Sequence, residues 1–207
     1  MRLIRPADHR RMAWKNGLGE TAEIAVGPDP GAPGDFAWRV SLARIGADGP
    51  FSAFPGVDRT LALLEGGPLR LRVGDGAPVT LEAGGPPLRF PGDLAAEAWL
   101  LGSPALALNV MTRRCTMAHQ LTRTTLDSLA ELGGDAPALL LCHAGAVRVS
   151  AGTEDVRLGP LDSLHLDTAD SGWRLHAAAS SVIYLARFRN RPVTAETGTS
   201  GRGPWSP

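Results

Sequence analysis

Residues 61–73, LALLEGGPLRLRV, read as a β-hairpin. Leu61-Ala62-Leu63-Leu64 is an apolar run and Glu65-Gly66-Gly67-Pro68 a turn, after which Leu69, Leu71 and Val73 alternate with Arg70 and Arg72. The same order returns in residues 139–149, LLLCHAGAVRV, at an offset of about 78 that lays His143 on Glu65. Val156–Leu158 then falls near Val79–Leu81, Trp173–Leu175 near Ala98–Leu100, and Ile183–Arg187 on Ala105–Asn109. Two units of similar order predict a duplicated all-β chain, two tandem β-barrels of jelly-roll type with few short helices.

Upstream, Phe36–Ala43 (FAWRVSLA) alternates cleanly: Phe36, Trp38, Val40 and Leu42 share one face, Arg39 and Ser41 the other. Only Thr125–Leu132 reads as a helix, with Asp127 early and Gly133-Gly134 as its stop. The expected organisation is one unit over residues 1–192, divided into halves 1–115 and 116–192. A Gly-, Ser-, Thr- and Pro-rich tail over 193–207 is expected to be disordered.

Composition narrows the function classes. The 207 residues carry 21 basic and 21 acidic side chains, and a net charge of zero supplies no field to attract nucleic acid or an anionic membrane. No helix-turn-helix pattern appears. Lys15 is the only lysine and Asn16 follows it, which excludes a phosphate-binding Gly-Lys-Ser/Thr loop and confines any Schiff-base chemistry to one residue. Cys115 and Cys142 lack metal-binding or redox spacing. No apolar run reaches the length of a membrane span, and the N-terminus lacks a signal-peptide pattern, so a cytoplasmic location is expected.

Three segments concentrate unusual chemistry. Trp14-Lys15-Asn16-Gly17-Leu18-Gly19-Glu20-Thr21 joins an aromatic, a cation and an amide to two conformationally free glycines. Asp48–Thr60 (DGPFSAFPGVDRT) sets Phe51 and Phe54 ahead of Arg59, a guanidinium able to clamp a carboxylate with two parallel bonds. Asn109–Arg114 (NVMTRR) ends a strand with two more guanidiniums. Each also has a plain structural reading: a turn with a packed Trp, a surface Asp58–Arg59 pair, and solvated arginines at a strand end.

Taken in order, W-K-N-G-x-G-x-T, F-x-W-R-x-S-x-A, D-G-P-F-S-x-F-P-G-x-D-R-T-L-x-L-L-E-G, F-x-G-D and N-V-M-T-R-R resemble the HutD/Ves family over roughly residues 1–190. The resemblance implies a bicupin, in agreement with the internal repeat. It also implies a protein associated with histidine utilisation that binds a small pathway metabolite and restrains the pathway. Two positions depart from the family pattern: Leu18 interrupts a glycine run, and Ala107 stands where an Asp is common.

Metal-binding cupins use paired histidines, a glutamate and a later histidine. The five histidines here, His9, His119, His143, His165 and His176, never fall two apart, and none lies between Phe51 and Glu65. No metal and no other cofactor is expected, although His143, His165 and His176 could meet in the second half. The favoured expectation is a metal-free bowl lined by Trp14, Lys15, Asn16, Arg39, Ser41, Phe54, Arg59, Asn109 and Arg113. Such a bowl suits an anionic, amino-acid-like metabolite of the formiminoglutamate, formylglutamate or urocanate class. Arg39 and Ser41 can face a lumen only if the apolar side of their strand packs elsewhere, which a junction between two barrels would provide. The alternative is a metal-independent isomerase or hydrolase with Glu65 as general base and Lys15 or Arg59 stabilising negative charge. A scaffold needing no ligand is the third reading, and two copies could pair as a homodimer through sheet edges.

Overall fold

Both faces of the FAWRVSLA strand are buried, by two different partners. The computed structural model describes residues 1–14, 17–28, 35–132, 137–167 and 172–191. The first strands are β1 (Arg2–Ile4), β2 (Arg10–Ala13), β3 (Gly19–Pro28), β4 (Phe36–Ile45) and β5 (Gly49–Phe51). They are followed by β6 (Val57–Glu65), β7 (Leu69–Val73), β8 (Val79–Leu81), β9 (Leu88–Pro91), β10 (Ala96–Leu100) and β11 (Ala105–Arg113). The second half holds β12 (Met117–Leu126), β13 (Leu129–Leu132), β14 (Ala138–Ala144) and β15 (Val147–Ala151). It ends with β16 (Glu154–Leu158), β17 (Ser163–Leu166), β18 (Trp173–Ala177) and β19 (Ser181–Asn190).

The duplication is visible in the strand order. In the first half β4-β11-β6-β9 form one sheet, extended by β2 and β3, and β5-β10-β7-β8 form the other. In the second half β12-β19-β14-β17 and β13-β18-β15-β16 repeat both orders. Each half is a jelly-roll-like sandwich of two sheets and not a closed barrel. The first strand does not stay with residues 1–115: β1 pairs with β17, Leu3 opposite Leu164, so the N-terminus completes the second half's sheet.

The two large sheets lie back to back. Trp38, Val40, Leu42, Leu108 and Val110 from one meet Leu139, Leu141, Tyr184, Ala186 and Phe188 from the other in a single core. At roughly 1.5–3 kcal/mol for each large apolar side chain removed from water, this layer outweighs any single polar contact across the junction. It frees the opposite face of β4 to carry Arg39 and Ser41 inward.

Two sequence expectations need correction. Thr125–Leu132 is not a helix: β12 runs to Leu126, Asp127-Ser128 turn the chain, and β13 pairs with β18. The β-branched Thr122, Thr124 and Thr125 suit the pleated ladder against β19 better than a helical turn. The intended stop, Gly133-Gly134, lies outside the described residues, as does the 193–207 tail. The only helical element among the described residues is a single 3-10 turn at Pro6–Asp8.

The repeat offset also changes at one strand. Ala107 faces Leu63 on β6, and its counterpart Leu185 faces Leu140 on β14, so these two strands match at 77 and not 78. A one-residue change turns every side chain to the other face. His143 therefore does not take the place of Glu65.

Candidate functional site

Cross-strand register builds the site in rows. Arg39, Met111 and Arg59 stand side by side on β4, β11 and β6, with Ser41, Asn109 and Leu61 in the next row and Ala43, Ala107 and Leu63 beyond. The rows lose polarity with depth and pass into the first half's core of Ile45, Leu63, Leu69 and Leu71. Above them opens a cavity of about 650 Å³, walled on the far side by Phe51, Ser52 and Phe54 and at one edge by Trp14.

Arg59 dominates it. The residue is 5% exposed. Its guanidinium lies 5.6, 5.3 and 5.1 Å from the ring centroids of Phe51, Phe54 and Phe90. Nη1 donates to the Ser52 carbonyl at 3.0 Å, and Nε has no hydrogen-bond partner. No carboxylate pairs with it among the described residues. Burial, with the Arg39 charge as the smaller cause, pulls its pKa down to about 10, so it stays a cation at neutral pH. A buried cation held by aromatic faces and one carbonyl is compensated only in part, and an anion would complete it.

The neighbours fit that demand. The Asn109 side chain is buried with Oδ1 unpartnered, and Ser41 is buried beside it. Arg39 Nε donates to Glu23 Oε2 at 2.7 Å, so the second guanidinium already has its counter-ion. Trp14 Nε1 donates to Thr21 Oγ1 at 2.8 Å and meets Phe51 edge-on, with ring centroids 6.0 Å apart.

Of the residues expected from the sequence, Trp14, Arg39, Ser41, Phe54, Arg59 and Asn109 converge on this cavity. Lys15 and Asn16 lie outside the described residues. Arg113 is not on the wall: it pairs with Asp35 and stacks over Phe36. Glu65 is also elsewhere, at the solvent end of β6, with a 58% exposed side chain 3.5 Å from His143. Sequence reading missed Met111 and Thr21 on the wall, Phe90 over Arg59, and Glu23 behind Arg39. Alternation carries Met111 from Asn109, and Thr21 closes the first motif, so both were within reach. Glu23 and Phe90 follow only from strand pairing.

A metal does not fit this wall, which bears two guanidiniums and no histidine, aspartate or glutamate. The described residues of the second half offer no alternative: His165 stacks on Trp38 in the junction, His176 is exposed on β18, and His143 meets Glu65. Its interior is filled by Trp173, Leu140, Leu164, Leu175 and Ile183. No trio of potential metal ligands occurs among the described residues.

A family model described as HutD matches residues 6–185. The protein Ves of Citrobacter koseri is 40% identical over 124 residues, which cover 58% of this chain and 63% of Ves, less than two thirds of that relative's length. The conserved protein of unknown function PA5104 from Pseudomonas aeruginosa PAO1 has a similar structure, with a TM-score of 0.82 and 32% identity over 90% of this chain and 97% of that one. HutD from Pseudomonas fluorescens SBW25, solved in a formate condition, matches with a TM-score of 0.77 and 26% identity over 92% and 98% of the two chains. Oxalate decarboxylase of Bacillus subtilis, at 9% identity, shares the cupin fold with a TM-score of 0.66, over 89% of this chain and 76% of that one.

Proposed function

Because the chain belongs to the HutD family, we propose that it is a metal-independent binding protein that takes an anionic, amino-acid-like metabolite into the bowl of its first half and thereby regulates histidine utilisation in the cytoplasm. The observation that carries this reading is Arg59: a buried guanidinium whose Nε has no hydrogen-bond partner, with no carboxylate partner among the described residues and a cavity of about 650 Å³ in front of it. The ligand's carboxylate pairs with the Arg59 guanidinium from the cavity side, where the bond is charge-assisted and desolvated, with Ser41 and Asn109 beside it on the wall. Phe51, Phe54 and Trp14 cover the apolar remainder.

Binding is favoured over turnover by what the described wall lacks. It holds no carboxylate or imidazole, and Glu65 stands outside the cavity, so a general base is missing where the ligand would sit. The test is thermal unfolding of EDTA-dialysed protein with histidine, urocanate, formiminoglutamate, formylglutamate and glutamate, repeated with Arg59→Ala. At about 100 times its Kd a ligand adds roughly 2.7 kcal/mol, a shift of several degrees. A shift by a carboxylate that vanishes in the variant supports the reading. No shift with any of the five removes the histidine-pathway ligand.

A further inference from the structure

The four sheets have eight edge strands, and seven of them are short: β1, β2, β5, β8, β9, β13 and β16 hold three to five residues each. The eighth is β12, whose ten residues pair with β19 on one side and with no strand on the other among the described residues. It offers a row of backbone N–H and C=O groups about 33 Å long, with no backbone partner on that side among the described residues. The strand has neither a proline nor a bulge to blunt it, and Arg123 is its one exposed charge. Gln120, Thr122, Thr124 and Thr125 are exposed and uncharged, and the three threonines suit a pleated ladder.

The first half shows what such an edge accepts. There β4 holds the place of β12 in the repeat, and β3 covers its outer side antiparallel, from Gly19 opposite Ile45 to Pro28 opposite Phe36. The second half has no counterpart of β3 among the described residues, because its added strand, β1, joins the opposite edge beside β17. We infer that this place is taken by β12 of a second copy of the chain, so that two copies share one continuous sheet across a two-fold axis. An antiparallel strand is complementary to itself under such an axis, which closes the contact at two copies. The chain's net charge of zero sets no long-range repulsion against self-association. An axis through Thr122 pairs residues 118–126 with their mates and sets Arg123 across from Leu121 of the second copy. The two guanidiniums then never stand directly opposite one another.

Sedimentation equilibrium of the full chain, from about 1 to 100 µM in about 0.15 M salt, is expected to show a monomer–dimer equilibrium. Thr122→Lys sets two lysines face to face at the axis and is expected to raise the dimer Kd at least tenfold. Thr122→Val, uncharged and β-branched, is expected to stay within about twofold of the wild type. Hydrogen exchange of the wild type locates the contact, since the amides of residues 117–126 should exchange more slowly at about 100 µM than at about 1 µM. A wild type that stays monomeric throughout overturns the inference, whether the edge is then bare or covered by the chain's own C-terminal residues. A dimer whose β12 amides exchange equally at both concentrations also overturns it, and that result needs no variant to fold. Equal dimer Kd values for folded Thr122→Lys and Thr122→Val overturn it as well.

Discussion

Trp38 and Phe188 stack across the junction of the two halves, with ring centroids 4.6 Å apart and planes 23° from parallel. His165 covers the indole from a second direction at 5.5 Å. Trp38 and Arg39 are neighbours on one strand, so anchoring the indole in the junction is what aims the guanidinium into the bowl.

Trp38→Ala is expected to destabilise the protein by about 3–5 kcal/mol, the usual cost of deleting a large buried aromatic. Urea unfolding followed by circular dichroism measures it. A loss below about 1 kcal/mol would show that the halves are held by other contacts.

Gly27 lies under the same indole, and an added Cβ would overlap the Trp38 ring. Gly27→Ala should therefore destabilise by at least 1–3 kcal/mol through overpacking. In the Trp38→Ala background most of that cost should disappear, because the atoms it collides with are gone. Additive losses in the double variant would contradict this contact as the cause.

Arg59→Met keeps the side-chain volume and removes a buried, partly compensated charge. Without ligand its melting temperature should equal or exceed that of the wild type, while the carboxylate-induced shift is lost. A fall of several degrees without ligand would mean that Arg59 serves as a strut through its bond to Ser52.

His119 sits buried between Thr112 and Thr60, with 2.8 Å hydrogen bonds at both ring nitrogens. Burial, helped by the Arg89 charge, pushes its pKa from 6.5 down to about 4. Between those values the unfolded chain binds the proton and the folded chain does not. Stability from this group is thus complete above pH 6.5 and drains as pH falls toward 4, by up to about 3 kcal/mol. His119→Gln should flatten that slope relative to the wild type in urea midpoints measured from pH 7 to 4.5. Equal slopes would assign the acid sensitivity to other groups.

Much of this was legible in the chain itself. Period-two alternation in FAWRVSLA and in LRLRV names strands and their faces, and the repeat of LALLEG by LLLCHA announces two similar halves. Six of the expected wall residues meet at one cavity because alternation and motif position determine them locally. The misread segment, Thr125–Leu132, is short and mixed in pattern, and only its partners β19 and β18 make it two strands. The alternative enzyme reading needs Glu65 as a general base at the site, and this residue shares the parity of Leu61 and Leu63. A bulge opposite Leu106/Ala107 and the end of the strand carry it to solvent instead.

The sequence by itself determined that the chain is all-β, duplicated, and equipped with arginines on a face opposite its large apolar residues. A period-two pattern divides side chains between two faces but does not say which face is interior, because both can be buried. Tertiary structure made that choice: the second half's Phe188, Tyr184 and Leu139 took the apolar face, and the face bearing Arg39, Ser41, Arg59 and Asn109 became the bowl. The pairing of Arg39 with Glu23, and Arg59's lack of such a partner among the described residues, likewise depend on which strands lie side by side. That is a relation between residues distant in the chain, and no local pattern encodes it.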